Sequence, residues 1–280
     1  MKLRKFCFLC GTIFLISFWV GLWSAKTERF AHYTPDYERV DIAPLLQKDQ
    51  LESEDYEILF RQTGMCEIGV DKLYAKGEQS KLLDLQSRYF EIVETVCLRD
   101  FLIIQSERLV DVPKGDLETF LPQVENGDIL ISFNGHVFGW RNGHAAIVVD
   151  AEKGLTLEAM ALGTDSRVCN IEKWAEYPGF VLLRLKGITQ EEQSKVARYA
   201  MENLVGIPYR LLVSNQYGIY GDVVGTHCAH LVWLAYAQFG YNLDQDGGMV
   251  VTPRDLFECE LLEVVQLYGL PTTFLEEKEE

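Results

Sequence analysis

Basic residues are scarce in this sequence. Its 280 residues include 26 lysines and arginines against 42 aspartates and glutamates, which gives a net charge of −16. No basic stripe follows the N-terminus, so we expect no nucleic-acid partner, because binding to phosphates requires clustered positive charge. An acidic body would also be repelled by an anionic membrane surface.

Internal repeats and low-complexity tracts are also lacking, which argues against a repeat architecture. The 48% hydrophobic and 12% aromatic content is typical of a globular protein with a sizeable core. A chain of 280 residues has room for one large domain or two small ones.

The N-terminus carries the clearest compositional signal. Three of the first five residues are basic, and an uncharged run of 18 residues follows at 6–23, a length between that of a signal-peptide core and that of a membrane span. The positive flank predicts export of everything that follows. Cleavage after Ala25 would place Trp23 where a small residue is needed. We therefore expect 1–25 to be an uncleaved anchor with an extracytoplasmic catalytic domain at the cell membrane, or a secreted protein if the segment is removed.

Five cysteines lie in the exported part, and an odd number leaves at least one without a disulfide partner. A reduced thiol outside the cytoplasm is consistent with chemistry at Cys228. The other four either pair or are simply buried, and the sequence leaves this open. They are Cys66, Cys97, Cys169 and Cys259.

The remaining chain divides by texture into three parts. We predict a linker at 26–40, a helical region at 41–120 that includes a long amphipathic helix at 80–96, and a catalytic domain at 121–275. Short apolar strands come first in that domain and an apolar helix comes near its end. This order predicts an α+β fold, an antiparallel sheet with helices packed to one side. We expect the helical region at 41–120 to have a structural role.

A nucleophile is predicted at the start of that apolar helix. Gly225 supplies a permissive backbone, Thr226 offers an N-cap hydroxyl, and Cys228 falls in the first helical turn. The helix dipole and the unpaired N–H groups favour a thiolate there, and the same N–H groups can hold an oxyanion. The alternative is a buried structural cysteine.

A cysteine hydrolase needs a base and a group that orients the base. His144 begins an apolar strand and is the candidate base, the alternative being a structural histidine. Glu158 ends the next strand, and a hairpin around residues 152–154 would bring it close to Ala145 or Ala146, within reach of the imidazole. The alternative for Glu158 is a rim carboxylate paired with lysine or arginine.

Three further histidines are candidates for binding substrate or a metal. His136 lies in a glycine-bearing loop and either lines a substrate cleft or is solvated. His227 and His230 flank Cys228, and His227 is a candidate substrate-binding residue. No CxxC or HxxxH pair accompanies Cys228 or His144, so we expect no metal and no cofactor.

With these residues assembled, the sequence resembles the NlpC-type papain-like cysteine hydrolases, and among them the circularly permuted YiiX-like (YebB-like) group. His144 precedes Cys228, which is the permuted order. The resemblance implies that Cys228 is the nucleophile, His144 the base and Glu158 the third member, and that Tyr209 lies near the cleft. It covers about 125–258. The matching segments are 126–130 (NGDIL), 143–149 (GHAAIVV), 157–159 (LEA), 206–209 (GIPY), 226–233 (THCAHLVW) and 252–256 (TPRDL).

The resemblance implies a thiol hydrolase that cleaves an amide bond through an acyl-thioester. Export makes a cell-wall peptide the expected substrate, with peptidoglycan as the partner and membrane contact only through the N-terminal segment. Two alternatives stay open, because a fold alone does not fix a function. One is an acyltransferase or lipid hydrolase similar to lecithin:retinol acyltransferase, and the other is a binding module without turnover.

Overall fold

The structure is a computed structural model that describes residues 2–27, 32–101, 104–110, 117–137, 140–214 and 223–275. Its first element is helix α1 (Lys2–Thr27). Among the residues that the structure describes, no helix has the length and apolar character needed to cross a membrane, so the predicted span is not supported. The predicted linker includes 28–31, which lie outside the described residues. Its remainder is extended, and the Tyr33 N–H donates to Gly269 O (3.0 Å).

The helical region predicted after the linker begins with α2 (Ser53–Thr63), α3 (Glu67–Lys76) and α4 (Lys81–Tyr89). Helix α2 starts in a capping box between Glu52 and Asp55 and stops at Gly64, whose φ is +71°. That left-handed conformation suits glycine, because it has no Cβ to clash with the backbone.

The second part of this region, after residue 89, was predicted to be helical but forms strands. Helix α4 stops at Tyr89, and the next segment forms an antiparallel hairpin of β1 (Thr95–Phe101) and β2 (Ile104–Leu109). The prediction of a helix over 80–96 is therefore wrong after residue 89. Thr95 and Val96 are β-branched and favour extended backbone, and the backbone of this segment pairs with β2.

Two sheets make up the rest of the fold. Hairpin β1–β2 continues through β4 (Gly135–Val137) into β5 (Trp140–Arg141) as a small sheet. The larger sheet has the order β10-β9-β3-β6-β7-β8, and all its pairings are antiparallel. Its strands are β3 (Ile129–Ser132), β6 (His144–Asp150), β7 (Leu155–Glu158), β8 (Arg167–Asn170), β9 (Phe180–Leu185) and β10 (Leu262–Tyr268). The remaining helices are α5 (Leu117–Phe120), α6 (Gln190–Asn203), α7 (Cys228–Ala237) and α8 (Pro253–Glu258).

Helices cover both faces of the larger sheet, which explains why β3 and most of β6 are buried residue after residue. Ile129 and Ile131 of β3 join the core formed with α6 and α7. Leu130, between them, points to the opposite face and joins the core formed with α2, α3 and α4. The α+β class is confirmed, whereas the expectation of helices on one side is not. The N-terminal helices complete the second half of the core.

A buried ionic cluster fixes the sheet against the helices. Asp128 is fully buried, and its two oxygens accept from Arg184 Nη2 (2.6 Å) and Nε (2.8 Å). Gln193 of α6 donates to the same carboxylate at 2.8 Å. In addition, the Tyr236 hydroxyl of α7 donates to Gly127 O. The segment at 126–128 thereby holds α6 and α7 on the sheet that carries His144.

Candidate active site

The candidate base stands at the first residue of β6. His144 lies opposite Ser132 of β3 and follows Gly143, whose φ is +67°. A Cβ added to Gly143 would lie 2.5 Å from Ser132 O, so the turn that presents His144 requires glycine. The side chain is 13% exposed.

The Glu158 carboxylate contacts this ring, at the place that the strand pairing predicted for it. In the β6–β7 ladder Ile147 pairs with Leu157, so Glu158 reaches the level of Ala146. Its Oε2 lies 2.6 Å from His144 Nε2. Because Nε2 is engaged by Glu158, Nδ1 is the ring nitrogen left to serve Cys228. A carboxylate in this position fixes the tautomer and stabilises the imidazolium.

Glu158 is itself held by three groups that sequence analysis missed. Lys173 Nζ lies 2.5 Å from Oε2, Thr156 Oγ1 donates to Oε1 at 2.6 Å, and Trp174 Nε1 donates to Oε1 at 3.3 Å. The Trp174 ring also stacks on His144, with centroids 5.7 Å apart. Burial acts to raise the pKa of Glu158, but His144 and Lys173 lower it to about 2, so it is an anion at neutral pH.

Cys228 is the first residue of α7, in the first turn as predicted. The prediction of Thr226 as the N-cap is wrong, because the N-cap is His227. The His227 ring nitrogen Nδ1 accepts from the His230 N–H at 3.4 Å. The Thr226 hydroxyl instead lies 3.1 Å from His230 Nδ1 and orients that second ring. Serine, threonine, aspartate and asparagine are the preferred N-cap residues, so the sequence favours Thr226 over His227 at this position.

Electrostatics favour a thiolate at Cys228 paired with an imidazolium at His144. Burial acts to raise the pKa of the thiol, but hydrogen bonding and charge from His144 and His227 lower it to about 5. Burial acts to lower the pKa of His144, but Cys228 and Glu158 raise it to about 9. The two groups form one coupled system, and its ion-pair form is favoured between these two values.

A cavity of about 560 Å³ opens beside Cys228. Tyr209 and His227, both predicted to contact substrate, line it. Burial and the neighbouring Cys228 raise the pKa of Tyr209, so its hydroxyl stays protonated. The apolar part of the lining consists of Phe133, Leu211, Val250, Val251, Pro253, Phe257 and Phe274. Its polar part includes Arg141, Asn142, Thr252, Arg254 and Glu258.

His136 is not among the described residues that line this cavity. It lies on β4, is 1% exposed, and its Nε2 is 2.6 Å from Glu107 Oε1. Arg141 Nη2 lies 3.5 Å from the same oxygen. His136 therefore belongs to a buried pair in the small sheet, next to an arginine that does reach the cavity. Its predicted contact with substrate stays untested.

Metal-ligating side chains do not converge on Cys228 in the part of the chain that the structure describes. Elsewhere among the described residues, one group of three carboxylates has oxygen atoms close enough to share a cation. The group is Asp244, Asp246 and Asp255. Asp255 is already engaged in the capping box of α8 with Thr252. No disulfide joins cysteines among the described residues.

Comparison with known proteins finds a similarity to a solved structure. No protein-family model and no curated protein matches the chain. Among solved structures, the chain is similar to the crystal structure of metalloprotein yiiX from Escherichia coli O157:H7, DUF1105, at 17% identity and a TM-score of 0.39. The similarity covers 51% of this chain and 97% of that chain. YiiX gives its name to the group that the sequence motifs resemble. At this TM-score the similarity carries no argument about function.

Proposed function

We propose that this protein is a thiol hydrolase in which Cys228 attacks an amide carbonyl, His144 is the general base and acid, and Glu158 orients His144. The observation that carries the proposal is the His144–Glu158 contact of 2.6 Å beside a cysteine at a helix N-terminus. A buried carboxylate fixed by three further donors is a costly arrangement, and orienting a catalytic imidazole explains it.

The reaction follows from the ion pair. The Cys228 thiolate forms a bond to the carbonyl carbon, and the carbonyl π electrons move to oxygen. When the C=O bond reforms, the C–N bond breaks and the leaving nitrogen takes a proton from His144. Water then attacks the thioester carbon while His144 removes its proton. The C–S bond breaks, which releases the acid and regenerates the Cys228 thiolate beside protonated His144. Throughout, Glu158 stabilises the charged form of His144.

A cell-wall peptide is the proposed substrate. Export predicted from the N-terminal sequence would place the catalytic domain next to peptidoglycan. Arg141 and Arg254 line the cavity. Each already has a protein partner, Phe133 O for Arg141 and Glu258 for Arg254, so a wall-peptide carboxylate would share these guanidinium groups with them. The proposed partner is therefore a peptide or another small amide.

The apolar lining supports a second candidate, transfer or hydrolysis of a lipid acyl group. Seven of the lining residues are apolar, and Phe133, Phe257 and Phe274 form an aromatic cluster with ring centroids 4.9–6.0 Å apart. A fatty acyl chain would bury more area against these rings than a charged peptide. The same thiol and base would serve this chemistry.

The acyl group left on Cys228 decides between the two. The full-length protein would be incubated separately with synthetic peptidoglycan stem peptides and with phosphatidylcholine vesicles, and Cys228 examined by mass spectrometry. A peptidyl mass supports the amidase and a fatty acyl mass supports the second candidate. Cys228→Ala is the negative control, and Cys169→Ala removes a half-buried cysteine outside the cavity. Binding of either probe without covalent mass or product would instead support a non-catalytic module.

A further inference from the structure

The N-cap of α7 is a histidine ring with two distinguishable nitrogens. Its backbone is extended, with φ −127° and ψ 178°, as an N-cap requires. Nδ1 accepts from the His230 N–H at 3.4 Å. A ring nitrogen that accepts an N–H carries no proton, so the proton of the neutral ring is on Nε2. The helix cap thus selects the tautomer of His227.

This Nε2–H donor has no acceptor among the described residues. His227 is 6% exposed, and its Nε2 is buried without a hydrogen-bond partner. Buried polar groups are almost always satisfied, and an exception needs an explanation. The ring lines the cavity next to Cys228, so an acceptor supplied by a bound molecule would satisfy it.

The backbone N–H of Cys228 is a second donor at this helix end. The first N–H groups of a helix have no intrahelical acceptor, and the N–H of Cys228 is the first of α7. The third N–H of the helix, that of His230, already donates to His227 Nδ1. The Cys228 N–H and the His227 Nε2–H therefore both remain available, on two residues that line the cavity.

We propose that His227 is an oxyanion-stabilising catalytic residue: its Nε2–H, together with the Cys228 N–H, receives the carbonyl oxygen as the sulfur attacks. This assignment rests on the proposed thiol acyl-transfer function. The S–C bond forms as the C=O π electrons become an oxygen lone pair, and both donors bind the resulting anion. The oxygen loses its negative charge when the C=O bond reforms. The leaving group then departs with the proton from His144.

The tautomer also separates the roles of the two histidines. His227 Nε2 already carries the proton of the neutral ring, so it is unable to accept the thiol proton. His144, whose Nε2 faces Glu158, keeps Nδ1 for that purpose. The lowering effect of His227 on the pKa of Cys228 agrees with an imidazole ring that lies near the sulfur.

Two variants divide the cap from the donor. In His227→Asn, the side-chain oxygen occupies the place of Nδ1 and keeps the cap, but the donor at the Nε2 position is lost. In His227→Gln, the amide nitrogen reaches the Nε2 position and keeps that donor, but the cap is lost. Thermal unfolding then reports the cap, and it should fall for His227→Gln only.

Two reactions of Cys228 report the donor without knowledge of the natural substrate. Acylation by p-nitrophenyl acetate passes through an oxyanion, whereas alkylation by iodoacetamide does not. Both rates would be measured on the full chain at pH values where the thiolate is fully formed, with Cys228→Ala as background. For His227→Asn we expect acylation to fall about 10²–10³-fold while alkylation stays within about threefold. His227→Gln should acylate within about tenfold of the wild type.

Equal loss of both rates in His227→Asn would overturn the inference, because His227 would then act on the thiolate and not on the oxyanion. Unchanged acylation in His227→Asn would overturn it as well. A wild-type protein that reacts with neither reagent faster than Cys228→Ala refutes the proposed function itself. That result is distinct from the first two, in which wild-type Cys228 is reactive.

Discussion

Replacing Glu158 by glutamine should lower the pKa of His144 and narrow the pH range of the ion pair from its alkaline side. The substitution keeps the shape of the side chain but removes the negative charge that lies 2.6 Å from His144 Nε2. It also leaves the Lys173 ammonium beside the ring without its partner. Both changes disfavour the imidazolium.

The size of the effect follows from the contact. A hydrogen bond to a charged group contributes about 1.5–3 kcal/mol, and one pKa unit corresponds to about 1.4 kcal/mol. The pKa of His144, about 9 in the native protein, should therefore fall by about one to two units. The acidic boundary should not rise, because losing a negative charge near Cys228 does not disfavour its thiolate.

The assay is an NMR titration of the His144 Cε1–H signal, assigned by its absence in His144→Ala. Glu152→Gln, which removes an exposed carboxylate from the turn of the same hairpin, is the matched control and should leave the titration unchanged. The double variant Glu158→Gln, Lys173→Met removes the unpaired ammonium as well and should recover part of the shift. A His144 pKa in Glu158→Gln equal to that of the wild type would refute the electrostatic role given to Glu158.

Three stability predictions concern the elements that position the site. Gly143→Ala places a Cβ 2.5 Å from Ser132 O at φ +67° and should cost about 1–3 kcal/mol in urea unfolding. Gly187→Ala, also at positive φ but without a close neighbour, should cost less; equal losses would contradict the steric argument. Asp128→Asn removes one of the two carboxylates that contact the buried Arg184, the other being Glu125 at 3.3 Å, and should cost about 1–3 kcal/mol; unchanged unfolding would show that the Asp128 charge is dispensable. Thr252→Ala removes the α8 cap and should lower stability by about 1 kcal/mol, with unchanged unfolding as the contrary result.

The central geometry could be predicted because each of its parts has a local signal. His144 follows a glycine at the start of an apolar strand, and Glu158 ends the next strand across a short turn. Alternation along two antiparallel strands is enough to place their side chains together. Cys228 has the corresponding signal of a polar loop that runs into an apolar helix.

The surroundings of Glu158 have no such signal. Lys173 and Trp174 come from a 3₁₀ segment, Ile171–Glu176, whose position depends on tertiary packing beneath the sheet. A lysine and a tryptophan at that point of the sequence are equally compatible with an exposed loop. Their contacts with Glu158 appear only when the segment folds back toward β7.

The small sheet was missed for a related reason. Residues 95–109 follow an amphipathic helix without a glycine or proline to mark its end, so the apolar pattern was extended too far. The strands are instead specified by pairing with β4, which is distant in sequence. That same pairing brings His136 against Glu107, whereas the glycine-bearing loop left open whether His136 lines the cleft or is solvated.

The pH dependence of Cys228 alkylation tests the account most directly. Iodoacetamide labelling of the full chain, measured by mass spectrometry for each cysteine, should give a midpoint near pH 5 for Cys228, the value to which its pKa is lowered. In His144→Ala the midpoint should move up toward that of a free thiol, because the imidazolium that stabilises the thiolate is gone. A wild-type midpoint at the ordinary cysteine value of about 8.5 would contradict a Cys228–His144 ion pair. A midpoint that does not change in His144→Ala would contradict it as well.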